Sequence, residues 1–285
     1  EMGQRKVVRG YATDLITDYS LDWLKDRDPS RPFCLLCHHK APHRPWDPDD
    51  KHATMYDGVD IPEPVTFNDD YANRAAAARE ARMRVDRDMT ERDLKQPVPE
   101  GLSPEEEKSW KYQRYIKDYL RCVASVDDNV GRMLDYLDEE GLAENTIVVY
   151  TSDQGFFLGD HGWYDKRFMY EESLRMPFVI RYPREIAPGS VDRNIILNVD
   201  FPVTLLDYAG IDPPKEMQGH SFRPLLNGRL PEGWQTAMYY RYWMHLAHHH
   251  VYAHYGVRTL DHKLIYYYAD ALGQPGAIGA PKEPE

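Results

Sequence analysis

The chain has 285 residues, room for one large domain or a large and a small one, and its 42% hydrophobic and 29% charged residues exclude a disordered or fibrous protein. A formal net charge of -12 argues against general nucleic-acid binding, so an anionic substrate would need a local positive pocket. No run approaches the ~20 apolar residues of a membrane span, and Glu1 opens a charged stretch with no secretion signal, which leaves localisation open.

In chain order, Leu15, Ile16, Tyr19, Leu21, Trp23 and Leu24 predict a helix over 13–25, stopped by Pro29 and Pro32. Phe33 to Cys37 is a short apolar run and predicts a strand. Burial in it is the simpler reading of Cys34 and Cys37, because Cys122 alone completes neither a zinc site nor a disulfide framework. The segment His38 to Pro48 follows as a loop, at the strand end where open α/β sheets bind ligands. Residues 68–100 are rich in Asp, Arg, Glu and Ala and read as a solvated helical insertion.

Ser103-Pro104-Glu105-Glu106 is a capping box with proline in the first turn. The stripe from Trp110 to Leu137 carries that helix on, and Gly141 ends it. Residues 146–152 and 176–182 are β-branched or apolar and predict buried strands, while Asp200 is placed to cap a helix over 201–208 that Gly210 closes. After Pro231, residues 237–243, 255–259 and 263–268 are short, aromatic and too close together for crossover helices. The pattern predicts an α/β fold with a mostly parallel sheet flanked by helices over 1–230, and a small antiparallel C-terminal subdomain over 231–285.

Chemistry concentrates at three places. Thr151-Ser152-Asp153-Gln154-Gly155 follows a strand, and the carboxylate of Asp153 with the amide oxygen of Gln154 suits a hard cation; the plain alternative is a turn capped by Asp153. Lys166 could neutralise charge on a bound anion, although most lysines are solvated surface residues. His38, His39, Lys40, His43 and Arg44 fill one loop, where histidine can bind an anion or protonate a leaving group; the alternative is a proline-rich surface loop. His248, His249 and His250, with His245 and His254 nearby, fit no standard ligand spacing and read as a surface loop, with lining a substrate cleft as the functional alternative.

These pieces, in this order from about Arg31 to Tyr268, resemble the sulfatase family within the alkaline phosphatase superfamily. The resemblance rests on His39-Lys40-Ala41-Pro42-His43-Arg44-Pro45-Trp46, on Thr151 to Gly155, and on Gly159-Asp160-His161-Gly162 with Lys166 and the stretch Ser173 to Val179. It implies an alkaline-phosphatase-like fold with Asp153 and Gln154 as calcium ligands, magnesium being the alternative ion. It further implies that Lys166 contacts the sulfate and that His43 contacts the sulfate or the leaving oxygen. Lys40, His161 and His245 are further candidates for the substrate cleft.

The family makes its nucleophile, a formylglycine, from a Cys/Ser-x-Pro/Ala-x-Arg motif preceded by two aspartates, and the chain contains no such motif. On that ground the chain reads as a C-terminal portion, inactive alone, whose missing N-terminal portion supplies the formylglycine. The expected substrate is a sulfated small molecule or glycan, with no nucleic acid and no membrane span. A periplasmic, secreted or lysosomal-type compartment is implied by the resemblance. Two rivals stand beside it: a phosphodiester or phosphonate monoester hydrolase on the same scaffold, and a binding protein without a nucleophile.

Overall fold

The computed structural model describes residues 5–285. Its helices are α1 (Ala12–Asp26), α2 (Ala76–Glu80), α3 (Glu91–Leu94), α4 (Pro104–Glu139), α5 (Glu171–Leu174), α6 (Asp200–Ala209) and α7 (Arg223–Leu226). The strands are β1 (Val148–Thr151), β2 (Phe157–Leu158), β3 (Tyr164–Asp165), β4 (Phe178–Arg181), β5 (Ala237–Tyr242), β6 (His254–Thr259) and β7 (Lys263–Tyr266). They fall into two compact units: the chain through Val65 with Val85–Ala143, and Thr66–Arg84 with Glu144–Glu285.

The first unit is built on α1 and α4. Helix α4 begins where its capping box lies, with the Ser103 side chain accepting from the Glu106 amide and Glu106 accepting from the Ser103 amide. It ends before Gly141, whose φ of 65° is the left-handed conformation that glycine adopts at no cost. Helix α1 packs along α4 through the buried Leu24, and the Asn129 amide donates to Asp14 at 2.7 Å. Loop 38–48 is pinned from below. Trp46 is fully buried with its ring 4.5 Å from that of Tyr115, and Arg44 makes a two-pronged contact with the buried Asp93 at 2.5 Å on each oxygen. Residues 33–37 form no strand and pair with no strand among the described residues, so the strand predicted there is absent.

In the second unit the sheets correct the predicted fold class. β1 pairs with β4, β2 with β3, and β5–β6–β7 form a three-stranded meander, and every one of these ladders is antiparallel. A continuous apolar run reports burial and extended backbone but not direction. Residues 152–177 hold the short β2–β3 hairpin and the four-residue α5 where a parallel pair would need a crossover helix, so β4 returns beside β1 in the opposite sense, Val148 facing Arg181 and Thr151 facing Phe178. Both strands are also more open than a buried parallel pair, with Tyr150 40% and Val179 62% exposed.

The core of this unit is aromatic. Phe157, Trp163, Phe168, Tyr242, Tyr252 and Tyr267 pack with Ala77, Ala78, Ala81 and Met83, and the Trp163 and Phe168 rings stack 4.9 Å apart. The stretch read as a solvated insertion therefore contributes buried alanines, whose small side chains let the backbone of residues 76–83 lie close against large rings. Asp200 opens α6, yet its carboxylate accepts from the amides of Leu197 and His220 and from Gln235, tying three loop segments to the helix start.

Candidate active site

β1 delivers Ser152, Asp153 and Gln154 at its end. The Ser152 hydroxyl donates to the Gln154 carbonyl at 2.8 Å, and the Gln154 amide nitrogen donates to the Ser173 carbonyl at 2.9 Å. The Gln154 side-chain nitrogen is thus tied back to the Ser173 carbonyl, and Asp153, next to it in sequence, is exposed. Gly155 allows this approach: a Cβ there would lie 2.2 Å from the Glu172 carbonyl oxygen, closer than atoms can come. The β2–β3 register, Phe157 against Asp165, then puts the Gln154–Gly155 and Lys166–Arg167 segments at the same open end of the hairpin.

Lys166 is half-buried, its backbone amide donates to the Asp165 carboxylate at 2.7 Å, and no described carboxylate forms an ion pair with its ammonium. Asp165 itself sits in the left-handed region (φ 71°), as does Arg167 (φ 117°), and backbone strain of this kind concentrates where a site is held in one geometry. Burial alone would raise the Asp165 pKa, but the hydrogen bond and charge of His249, with Arg167 and Lys166, carry it below the usual carboxylate value. The His249 Nε2 lies 2.8 Å from Asp165 Oδ2.

The remaining predicted residues are placed as follows. His161 is buried in a left-handed turn (φ 57°), its Nδ1 2.8 Å from Asp69 and 3.2 Å from Arg74. Burial pushes the Asp69 carboxyl up, yet hydrogen bonds from Arg74, the Tyr71 amide and His161 outweigh it and hold the group at about 2. His245 is fully buried, with Nδ1 accepting from the Ala253 amide and Nε2 facing the Ala280 carbonyl, so both nitrogens are engaged inside the unit. His43 and Lys40 belong to the first unit and are exposed; the His43 Nδ1–H donates to the Arg44 carbonyl at 2.8 Å, which leaves Nε2 for a proton or an anion. Reasoning from sequence did not single out Asp165, Arg167 or Arg82. The only sequence signal for the first two was their position on either side of Lys166.

As a metal site, Asp153 and Gln154 match the oxygen preference of calcium or magnesium, but two donors fall short of the six to eight that calcium takes. No group of three or more His, Cys, Asp or Glu side chains among the described residues is arranged to hold an ion.

Comparison with known proteins follows the same pattern. The sulfatase family profile matches residues 3–211, and the profile described as N-sulphoglucosamine sulphohydrolase, C-terminal, matches residues 159–273. The first match corrects the reading of the chain as a C-terminal portion: it begins at residue 3, ahead of Arg31, and takes in the α1 segment. Among curated proteins, the N-acetylglucosamine-6-O-sulfatase of Bacteroides thetaiotaomicron is 44% identical over 95% of this chain and 56% of its own length. The arylsulfatase of Clostridium perfringens is 32% identical over 77% of the chain and 42% of its own length. The chain thus spans about half the length of the curated relatives it matches. A solved structure in complex with its substrate D-glucosamine-2-N,6-O-disulfate superposes with a TM-score of 0.91 at 43% identity, covering 94% of this chain and 63% of that one. The phosphonate monoester hydrolase of Silicibacter pomeroyi, at 24% identity and a TM-score of 0.72 over 90% of this chain and 51% of that one, shares the fold.

Proposed function

Since the chain belongs to the sulfatase family, we propose that the protein carrying it hydrolyses the sulfate ester of a sulfated carbohydrate, an amino sugar sulfated at O6 being the favoured substrate. What supports this reading most is the 44% identity to an N-acetylglucosamine-6-O-sulfatase, in a chain whose β2–β3 hairpin opens towards the segments that carry Gln154 and Lys166. The relative solved with a doubly sulfated glucosamine supports the same class.

Each residue then has a defined task. The Lys166 ammonium, paired with no carboxylate among the described residues, offsets charge on the non-bridging oxygens of the sulfate as the ester bond breaks. Asp165 and the strained loop fix where that lysine starts. By the family resemblance His43 would contact the leaving oxygen or the sulfate, through the Nε2 that its Nδ1 bond to the Arg44 carbonyl leaves uncommitted. Asp153 and the carbonyl oxygen of Gln154 would hold calcium, with magnesium the alternative; such an ion, when bound, polarises sulfate oxygens. The family's formylglycine motif does not occur within these residues, so the roles above are confined to binding, charge and proton transfer.

Sulfate release from N-acetylglucosamine 6-sulfate, set against hydrolysis of a phosphonate monoester by the protein that carries this chain, tests the reading. Preference for the sulfate is the expected result. Preference for the phosphonate would replace it with the rival chemistry.

A further inference from the structure

The second unit has a cleft of about 470 Å³ lined by Arg82, Leu246, Ala247, His249, His250 and Ile278, of which His249 reaches Asp165, the residue before Lys166. Its floor depends on Gly279, where a Cβ would come within 2.5 Å of the Leu246 side chain. The cleft wall connects directly to the lysine: His249 Nε2 meets Asp165 Oδ2 at 2.8 Å, and Asp165 Oδ1 accepts the Lys166 amide at 2.7 Å. On its other side the His249 Nδ1 faces the Arg82 carbonyl at 2.7 Å. A carbonyl and a carboxylate only accept, so each His249 nitrogen faces an acceptor and the ring is held in place from both sides.

Charge around the cleft does not cancel. Glu80 is occupied by Lys282 at 3.0 Å and by the Tyr252 hydroxyl at 2.6 Å, and Asp165 is occupied by His249. Arg82 is exposed, and no described carboxylate forms an ion pair with its guanidinium. In a chain of net charge -12, an uncompensated arginine over a cleft with an apolar side, Leu246 and Ile278, combines what an anionic sugar needs: a planar fork for an oxyanion and a surface for the C–H face of a ring.

We infer that this cleft is a second anion subsite, in which Arg82 binds a further anionic group, a sulfate or a uronate carboxylate, borne by the sulfated sugar or its neighbour. The inference rests on the sulfated-carbohydrate reading above and extends it from one charged group to two. It gives the protein a preference for doubly charged saccharides that Lys166 alone would not produce.

Calorimetric binding of three saccharides tests it without needing turnover: glucosamine 6-sulfate, glucosamine with sulfates at N2 and O6, and a disaccharide pairing glucosamine 6-sulfate with a uronic acid. The unsubstituted protein should bind at least one doubly charged saccharide about tenfold or more tightly than the singly charged one, as befits a charge-assisted hydrogen bond at a partly open site. Which of the two is preferred identifies the anion. Arg82→Gln should remove that preference while leaving affinity for glucosamine 6-sulfate within about twofold, and Arg82→Lys, which keeps the charge without the fork, should retain part of it. Arg82 holds its neighbours through backbone N–H and C=O groups, so both variants keep the local fold. Equal affinity for all three saccharides, binding of none, or an unchanged preference in Arg82→Gln would overturn the subsite. Preferential binding with no sulfate release by the protein that carries this chain would instead count against the hydrolytic reading and leave the subsite standing.

Discussion

His254 gives the second unit an acid-sensitive support. Its ring is fully buried between the rings of Phe168, Tyr240, Tyr242 and Tyr267, at centroid distances of 5.1 to 6.0 Å. The Nδ1–H donates to the Tyr252 carbonyl at 2.8 Å, whereas Nε2 has no hydrogen-bond partner among the described residues. Burial therefore lowers its pKa from 6.5 to about 4. The folded unit favours the neutral ring and the unfolded chain takes the proton first, so this contribution to stability is whole above pH 6.5 and is lost as pH falls towards 4. The full loss is about 3 kcal/mol, and by pH 5 about 2 kcal/mol of it has gone. Other groups titrate in the same range, so the readout is a difference. Urea unfolding of the unsubstituted chain and of His254→Phe, measured between about pH 7.5 and pH 5, should show a steeper fall in stability for the unsubstituted chain by about 2 kcal/mol. Phenylalanine shifts the stability by a constant, but it has no proton to bind. Parallel pH profiles for the two proteins would refute the argument.

Lys166→Ala should lower turnover of the protein carrying this chain by about 10²- to 10³-fold with an unchanged far-UV circular dichroism spectrum, and an unchanged rate would remove Lys166 from the chemistry. Gly155→Ala should destabilise the chain by about 3 kcal/mol in thermal unfolding, because its Cβ meets the Glu172 carbonyl; wild-type stability would mean that the 172–174 turn yields freely. Asp200→Ala should cost about 3 kcal/mol or more by stranding the Leu197 and His220 amides and Gln235, and a loss under about 1 kcal/mol in urea unfolding would show that water replaces the carboxylate.

The two long helices were legible in the sequence for local reasons. Their apolar spacing, the Ser103 capping box and Gly141 all act within one or two turns, and the helices span Ala12–Asp26 and Pro104–Glu139. Strand identity was legible at residues 146–152 and 176–182, though not at 33–37, but strand direction was not: the apolar character of those two runs is the same for either sense, and only their pairing makes them antiparallel. Residues 76–83 were misread because alanine carries little hydropathy signal, although it fits well where a backbone must lie against Trp163 and Phe157. Asp200 was read as a cap from its neighbours in sequence, while two of its partners lie 20 and 35 residues away. Type and order single out Gln154, Lys166 and His43 as candidates, whose roles rest with the measurements above. Arg82 could not, because one arginine in a charged stretch gives no sign that it will border a cleft formed by residues 246–250 and 278.

The way the chain threads its two units governs how it can be made and cut. It passes from one unit to the other at residues 65–66, 84–85 and 143–144, so neither unit is a continuous stretch. During synthesis residues 66–84, with the alanines and Met83 that the aromatic core needs, emerge well before Phe157, Trp163 and Tyr252, and they must wait while residues 85–143 finish the other unit. A chain ended at residue 143 would contain one complete unit and an orphaned apolar segment, and a chain begun at residue 144 would have an aromatic core missing one side. Anyone wishing to isolate the Lys166 hairpin in a smaller protein would have to graft residues 66–84 onto it by a new linker, since no single cut releases it whole.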